Sequence, residues 1–237
     1  MKILLKIALF IGVVTFFTAC GGGGSSSGNV RIMPLGDSIT YDDAHAYYDS
    51  AGNDIKPAGE RKAYRSYLAY DLNDAGISYD FVGSQSAGYS IEPSFDPDNE
   101  GHPGWTSNQI ADNVYNFLTG NPADVILLHI GTNDHSNSIE GVKRIINEIK
   151  RFESDNNMQI KVFVALIINR RFHDGTIDSF NTNLQAYLGS LGDSSIIGVD
   201  MRDMLLGSDY LENTHPNESG YKKMADRWFS TIVDYLR

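Results

Sequence analysis

Three short segments carry residue types that could act together on an acyl carbonyl. Gly36-Asp37-Ser38-Ile39-Thr40 sets a serine directly after an apolar run, where the side chain and its own backbone N–H can face one cavity. Gly131-Thr132-Asn133-Asp134 ends another apolar run with an amide able to donate to a developing oxyanion. His215-Pro216-Asn217 holds a histidine in a short rigid loop ahead of the last helical segment, as a general base requires. Singly, each has an ordinary structural explanation: Gly-Asp-Ser is common turn chemistry, Asn often closes a strand, and Pro is favoured at the start of a helix. Jointly they supply a nucleophile, a base and an oxyanion donor, which is the equipment of a serine hydrolase.

Other chemistries lack their motifs. No Gly-x-Ser-x-Gly elbow follows a strand candidate, there is no Walker-type loop, no Gly-x-Gly-x-x-Gly after a strand and no His-Glu-x-x-His, and no cofactor is implied. The order of the three segments (Ser early, Asn in the middle, His before the terminal helix) resembles the SGNH or GDSL hydrolase superfamily. Glu100-Gly101-His102-Pro103-Gly104-Trp105 is similar to the block that supplies a glycine to the oxyanion hole there. Ile32-Met33-Pro34-Leu35-Gly36-Asp37-Ser38 and Gly104-Trp105-Thr106 look most like the acetylxylan-esterase branch of the carbohydrate esterases. The resemblance implies Ser38 as nucleophile and His215 as the base that later protonates the leaving alcohol. It also implies an oxyanion hole made of the Ser38 N–H, the Gly104 N–H and the Asn133 side chain.

The pattern departs from the family at the acid. Glu212 stands where Asp is usual, and the extra methylene must be absorbed by the loop. Glu212 is the first choice for orienting the imidazole, with Asp209 or a Ser-His dyad as the alternatives. Asp37 and Asp134 are expected to bond loop backbone rather than react. His129 lies within an apolar run and reads as a core residue. Trp105, Tyr41 and His102 are expected to contact substrate; Tyr41, Tyr47, Tyr48, Tyr89 and Trp105 lie in or next to the long loops, where aromatic faces could stack on sugar rings. His135 is a further candidate, and His45 and His173 carry no signal. Asp96, Asp98 and Glu100 alternate faintly like a calcium loop, but the glycine turn and distal bidentate Glu are missing, so a solvated loop without metal is expected.

A set of elements must position these residues. Continuous apolar runs at Val30–Leu35, Asp124–Ile130 and Ile160–Ile168, with Ser78–Gly83 and Ser195–Val199, read as five parallel strands covered on both faces. Apolar stripes of helical period fall between them: Tyr64 to Ala75, Ile110 to Leu118, Ile139 to Phe152, Ile177 to Leu191, and Asn217 to Ile232. Thr106-x-x-Gln109 predicts a capping box for the second, and Asn137 with Glu140 an N-cap for the third. Pro34 is read as a strand terminus. The alternation predicts an α/β fold, a three-layer α/β/α sandwich with a five-stranded parallel sheet, flavodoxin-like as in SGNH hydrolases. Segments 41–60 and 84–105 read as long loops of functional weight.

Residues 1–19 form a positively charged, then apolar, secretory signal. Thr18-Ala19-Cys20-Gly21 resembles a bacterial lipobox, with Phe17 where Leu is usual, which implies lipidation of Cys20 and an exported, membrane-anchored protein. Residues 20–28 would be the lipidated Cys and a Gly/Ser tether, and residues 29–237 the catalytic domain.

Composition closes off further classes. The 237 residues are 41% hydrophobic and 21% charged, near the globular average, so disorder and polytopic membrane classes are excluded. A single Cys leaves no intramolecular disulfide. A net charge of -11 argues against nucleic acid, anionic lipid surfaces and polyanionic substrates. The expected activity is therefore hydrolysis of O-acyl, above all O-acetyl, esters on a polysaccharide or oligosaccharide. A lysophospholipase or thioesterase of the same superfamily is the alternative enzyme, and a non-catalytic carbohydrate-binding lipoprotein the alternative outside catalysis.

Overall fold

The computed structural model describes residues 28–237. The expected signal peptide, the lipobox-like segment with Cys20 and nearly all of the expected tether lie outside the described residues.

Seven strands form the sheet: β1 (Val30–Gly36), β2 (Tyr79–Phe81), β3 (Gln85–Ser86), β4 (Asp98–Gly101), β5 (Val125–His129), β6 (Lys161–Leu166) and β7 (Ile196–Asp200). The five expected parallel strands run in the order β2-β1-β5-β6-β7. The count of five is corrected by β3 and β4, which arise inside the segment read as the 84–105 loop. β4 is parallel to β1 and takes over its edge where β2 ends, pairing Leu35 with Glu100 and Gly36 with Gly101, while β3 is antiparallel to β4. Neither short strand has an apolar run, so period and hydropathy could not reveal them.

Pro34 does not end β1; the strand continues to Gly36. Ile32 and Gly36 direct their carbonyls toward the β2/β4 edge, accepting from Val82 and His102 N–H, so Pro34 presents its N to that same edge. The register leaves it between the end of β2 at Ile32 and the start of β4 at Leu35, so no ladder bond is lost.

The helices are α1 (Ser38–Tyr41), α2 (Ala63–Asp74), α3 (Ser107–Gly120), α4 (Glu140–Asn156), α5 (Gly175–Ser190) and α6 (Glu218–Leu236). The chain crosses from β1 to β2 in one direction and from β2 through β5 and β6 to β7 in the other. Right-handed crossovers therefore put α2 on one face and α3, α4 and α5 on the other. α6 packs on α2, where Trp228 and Tyr64 are buried against each other, and α3 packs on α4. Among the described residues no helix is long and apolar enough to cross a membrane.

Caps follow the sequence in part. Thr106 and Gln109 form the reciprocal capping box at the start of α3, and Asn217 caps α6 by accepting from Gly220 N–H. The expected Asn137 cap of α4 is not formed: the helix starts at Glu140 with Ile139 in the N-cap position, and the Glu140 N–H donates to Ser138 Oγ at 3.4 Å.

One buried cation ties the loops to the sheet. Arg65 of α2 is fully buried and donates to the carbonyls of Thr40, Tyr41, Arg61, Ala87 and Pro97 at 2.9 to 3.3 Å. Burial pushes its pKa down to about 10, so it stays charged at neutral pH. The segment after α1 and both sides of the β3–β4 excursion are thereby fastened to one helix.

Candidate active site

β1 and β5 are neighbours at the point where the strand order reverses, and the loops leaving their carboxyl ends open a crevice there. Ser38 is the first residue of α1, immediately beyond β1. Asp37 caps that helix by accepting from Ile39 N–H at 2.9 Å. As the first helical residue, Ser38 keeps an N–H without an intrahelical partner. Asp37 itself is fully buried and its carboxyl is pushed up to about 7 by loss of solvation, with the nearby Asp134 adding to the shift.

His215 reaches Ser38 from the far end of the chain. Its Nε2 lies 2.8 Å from Ser38 Oγ. Its Nδ1 is hydrogen-bonded to Glu212 Oε1, the same oxygen that accepts from His215 N–H at 3.0 Å, while Glu212 Oε2 accepts from Thr214 N–H at 3.2 Å. The extra methylene of Glu is thus taken up by a turn that folds the carboxylate back onto its own loop. Burial pushes the His215 imidazolium below its usual range, with Glu212 pulling the other way; Glu212 is held below its usual range by His215 and by the two backbone donors, against its own desolvation. Asp209, the alternative acid, points elsewhere: it accepts from Leu206 N–H, Ser219 Oγ and Lys223 Nζ.

Gly104 and Asn133 approach Ser38 from two other loops. His102-Pro103-Gly104-Trp105 closes with a bond from Trp105 N–H to His102 O at 3.1 Å, and Gly104 has φ +78°. Pro at the second position and a positive φ at the third are the marks of a type II turn, which leaves the Gly104 N–H outside the closing bond. The Asn133 amide donates to Trp105 O at 3.1 Å, so the two oxyanion candidates are cross-linked. Asp134 fastens the same loop to α3 by accepting from Ser107 N–H at 2.7 Å. Asp37 and Asp134 therefore bond backbone, as expected, though at the first turns of α1 and α3 rather than in loops.

Ser38, Gly104, Asn133 and His215 share a cavity of about 360 Å³ with Asp43, His45, Tyr48, Pro103, His135, Arg170 and Thr214. Tyr41, Trp105 and His102 do not line it. The His102 ring is sandwiched between Trp105 and Phe117, at 4.2 and 4.7 Å between centroids, and its Nε2 lies 2.6 Å from Glu100 Oε1. It is a buried strut beneath the Gly104 turn, and Trp105 serves the site through its carbonyl. The Tyr41 ring lies beside the Arg61 guanidinium. Tyr48 is the loop aromatic that faces the cavity, held by its hydroxyl donating to Asp43 at 2.9 Å.

Two acids of the 84–105 segment, Asp96 and Glu100, are taken up by hydrogen bonds within the fold. Asp96 accepts from Phe81 and Asp98 N–H, and buried Glu100 accepts from Ser84 N–H and Oγ as well as meeting His102. Among the described residues no cluster of three or more His, Cys, Asp or Glu could hold a metal ion. His129 is fully buried in β5 with no hydrogen bond to either ring nitrogen, which keeps it neutral and pushes its pKa down to about 4. It belongs to the core, though without the polar partner a core histidine usually has.

Sequence reasoning missed Arg170. It follows the Ile167–Asn169 stretch beyond β6, and the rule that ligands bind beyond strand carboxyl ends was the signal that could have found it.

Known proteins resemble this chain in sequence and in fold. The model of the GDSL-like lipase/acylhydrolase family matches residues 32–228. A multidomain esterase of Ruminococcus flavefaciens is 27% identical over the whole of this chain, which spans 33% of that protein's length. The solved family 3 carbohydrate esterase of Clostridium thermocellum is 30% identical, with a TM-score of 0.70 over 89% of this chain and 98% of that one. A family 3 carbohydrate esterase from Talaromyces cellulolyticus is 25% identical, with a TM-score of 0.68 over 87% of this chain and 98% of that one.

Proposed function

The chain belongs to the GDSL-like lipase/acylhydrolase family, and from that premise we propose that it is a serine esterase removing short O-acyl groups, acetyl foremost, from a carbohydrate. The observation that carries the mechanism is the continuous relay Ser38 Oγ–His215 Nε2–His215 Nδ1–Glu212 Oε1.

In this mechanism Ser38 Oγ attacks the ester carbonyl as His215 Nε2 takes its proton. Glu212 holds the Nδ1–H tautomer and stabilises the imidazolium. The tetrahedral oxyanion is met by the Ser38 N–H, the Gly104 N–H and the Asn133 amide. The imidazolium returns its proton to the leaving alcohol, and a water activated by His215 then hydrolyses the acyl-enzyme.

The small acyl group is supported by the cavity's lining, which contains no aliphatic Leu, Ile, Val or Met side chain. A long acyl chain would gain little there, since each methylene needs apolar surroundings to recover about 0.8 kcal/mol. That favours the sugar-ester reading over the lysophospholipase or thioesterase. The relationship to family 3 carbohydrate esterases supports a glycan as the alcohol.

The direct test is acetate release from acetylated xylan by residues 29–237, with Ser38→Ala as control. Release by the wild type alone supports the proposal; preference for octanoyl over acetyl esters would turn it toward lipid chemistry. Fluorophosphonate labelling of Ser38 separates either from a non-catalytic binding protein. Export and lipid anchoring through Cys20 belong to the same proposal: a Cys20→Ala variant should leave the membrane fraction of a bacterial host and lose its thioether-linked lipid by mass spectrometry.

A further inference from the structure

Arg170 is a permanently charged group in the wall of the cavity, and nothing in the mechanism above uses it. Its side chain is only 16% exposed and is fixed at several points. One terminal nitrogen donates to Thr214 Oγ1 at 2.6 Å, the other donates to Thr132 O at 3.1 Å, and Nε lies 3.5 Å from Asp174. Thr214 precedes His215 and Thr132 precedes Asn133, so the guanidinium spans the loop of the base and the loop of the oxyanion donor. Its backbone is pinned as well: Arg170 N–H donates to Asn169 Oδ1 at 2.7 Å, and Asn169 O accepts from the Tyr210 hydroxyl at 2.6 Å. The side chain cannot swing aside without giving up these bonds.

We propose that Arg170 is the residue that sets acyl-chain selectivity, by presenting a fixed, hydrated, cationic wall where a longer chain would have to lie. The inference rests on the proposed esterase reading and adds to it the reason for a short-chain preference. A guanidinium carries five N–H donors; with one used on Thr214, one on Thr132 and Nε turned toward Asp174, two have no protein partner among the described residues and are left to water, in a side chain that lines the cavity. An acetyl group is small enough to leave that hydration in place. An octanoyl chain laid against Arg170 strips it and offers no acceptor in return, and leaving a buried donor unpaired costs about 1–3 kcal/mol, or on the order of 5- to 150-fold in rate. The lack of aliphatic lining explains why a long chain gains nothing; Arg170 explains why it is rejected.

The test compares the ratio of kcat/KM for 4-nitrophenyl octanoate to that for 4-nitrophenyl acetate in the wild type, Arg170→Met and Arg170→Lys. Methionine keeps the stem's volume and offers an apolar surface, so the octanoyl-to-acetyl ratio should rise about tenfold or more. Lysine keeps the charge and hydration, so the ratio should stay within about threefold of the wild type even where slackened loops lower both rates. A lost clamp alone would depress both substrates together and leave the ratio unmoved in Arg170→Met; that result overturns the proposal. If Arg170→Met fails to fold, Arg170→Ala serves, since it too removes every polar donor, with a rise in the ratio expected and a constant ratio overturning the inference. A wild type that already prefers octanoate overturns the short-acyl, sugar-ester reading and this inference together, whereas acetate preference with an unmoved ratio overturns this inference alone.

Discussion

His215 Nε2 and Ser38 Oγ lie 2.8 Å apart although 177 positions separate them in the chain. That contact closes the sandwich from its first strand to its last loop, and it sets the first expectation. Ser38→Ala should cut turnover of 4-nitrophenyl acetate by at least about 10³-fold, because the nucleophile is gone and only the oxyanion donors and binding remain. Its melting temperature should stay within a few degrees of the wild type, since the side chain's recorded bond is to His215 alone. Steady-state kinetics and a thermal melt on one preparation decide both points.

Glu212 and Asp209 divide function from stability. Glu212→Gln removes the charge facing His215 Nδ1 and should lower kcat by about 10²–10⁴ with the fold intact. Asp209→Asn removes the charge facing Lys223 and leaves one amide oxygen where two carboxylate oxygens met Lys223, Ser219 and Leu206. It should cost about 1–3 kcal/mol of stability by denaturant titration while leaving kcat within about twofold. The reverse outcome would make Asp209 the acid.

Asn133→Ala should lower kcat by about 10²–10³ by removing one oxyanion donor. It should barely alter KM, because the amide is held by Trp105 O at rest and its contribution grows only as charge develops on the carbonyl oxygen. Unchanged kcat would exclude Asn133 from the mechanism.

Activity should fall on the acid side as His215 takes up a proton, with a midpoint below about 6.5, the usual imidazole value, because burial disfavours the imidazolium. Glu212 opposes that shift. Replacing it with Gln should therefore move the midpoint of residual kcat/KM to still lower pH. A pH–rate profile from 4 to 9 checks both directions.

Two buried groups should bend the pH dependence of stability in opposite senses. Asp37 is pushed up to about 7, so between about 4 and 7 the folded state holds a proton that the unfolded chain has released, and stability falls as pH rises. His129 is pushed down to about 4, so between about 4 and 6.5 the unfolded chain binds the extra proton, and stability falls as pH drops. Asp37→Asn keeps the helix cap and should gain, relative to the wild type, on the order of 1–3 kcal/mol as pH rises across that window. His129→Leu should gain toward its acid end. Denaturant midpoints at half-unit intervals of pH test each.

The sequence revealed those parts whose energetics are local or periodic. β1, β5 and β6 are runs such as Val125-Ile126-Leu127-Leu128 that only a sheet covered on both faces can bury. Ser38, Asn133 and His215 stood out because each leaves a strand end or precedes a helix with the right donor or acceptor. Glu212 was readable as an acid, while its reach depended on a turn that spacing does not encode. β3 and β4 were hidden because Arg65 and the edge of β1 stabilise them, rather than a pattern of their own. His102 was placed at the substrate because it neighbours Gly104; stacking against Phe117, part of α3, draws its ring into the interior instead. Arg170 escaped notice because nothing in its own neighbours in sequence announces Thr132 and Thr214 as partners.

Glu212 and His215 sit one helical turn's length apart in sequence and are bonded through backbone and side chain alike. The base therefore carries its own tautomer control wherever its loop moves. Displacing the loop would change the reach to Ser38 but leave the Glu212–His215 pair assembled. Families that keep their acid on a separate strand must realign three bodies; here only two have to meet.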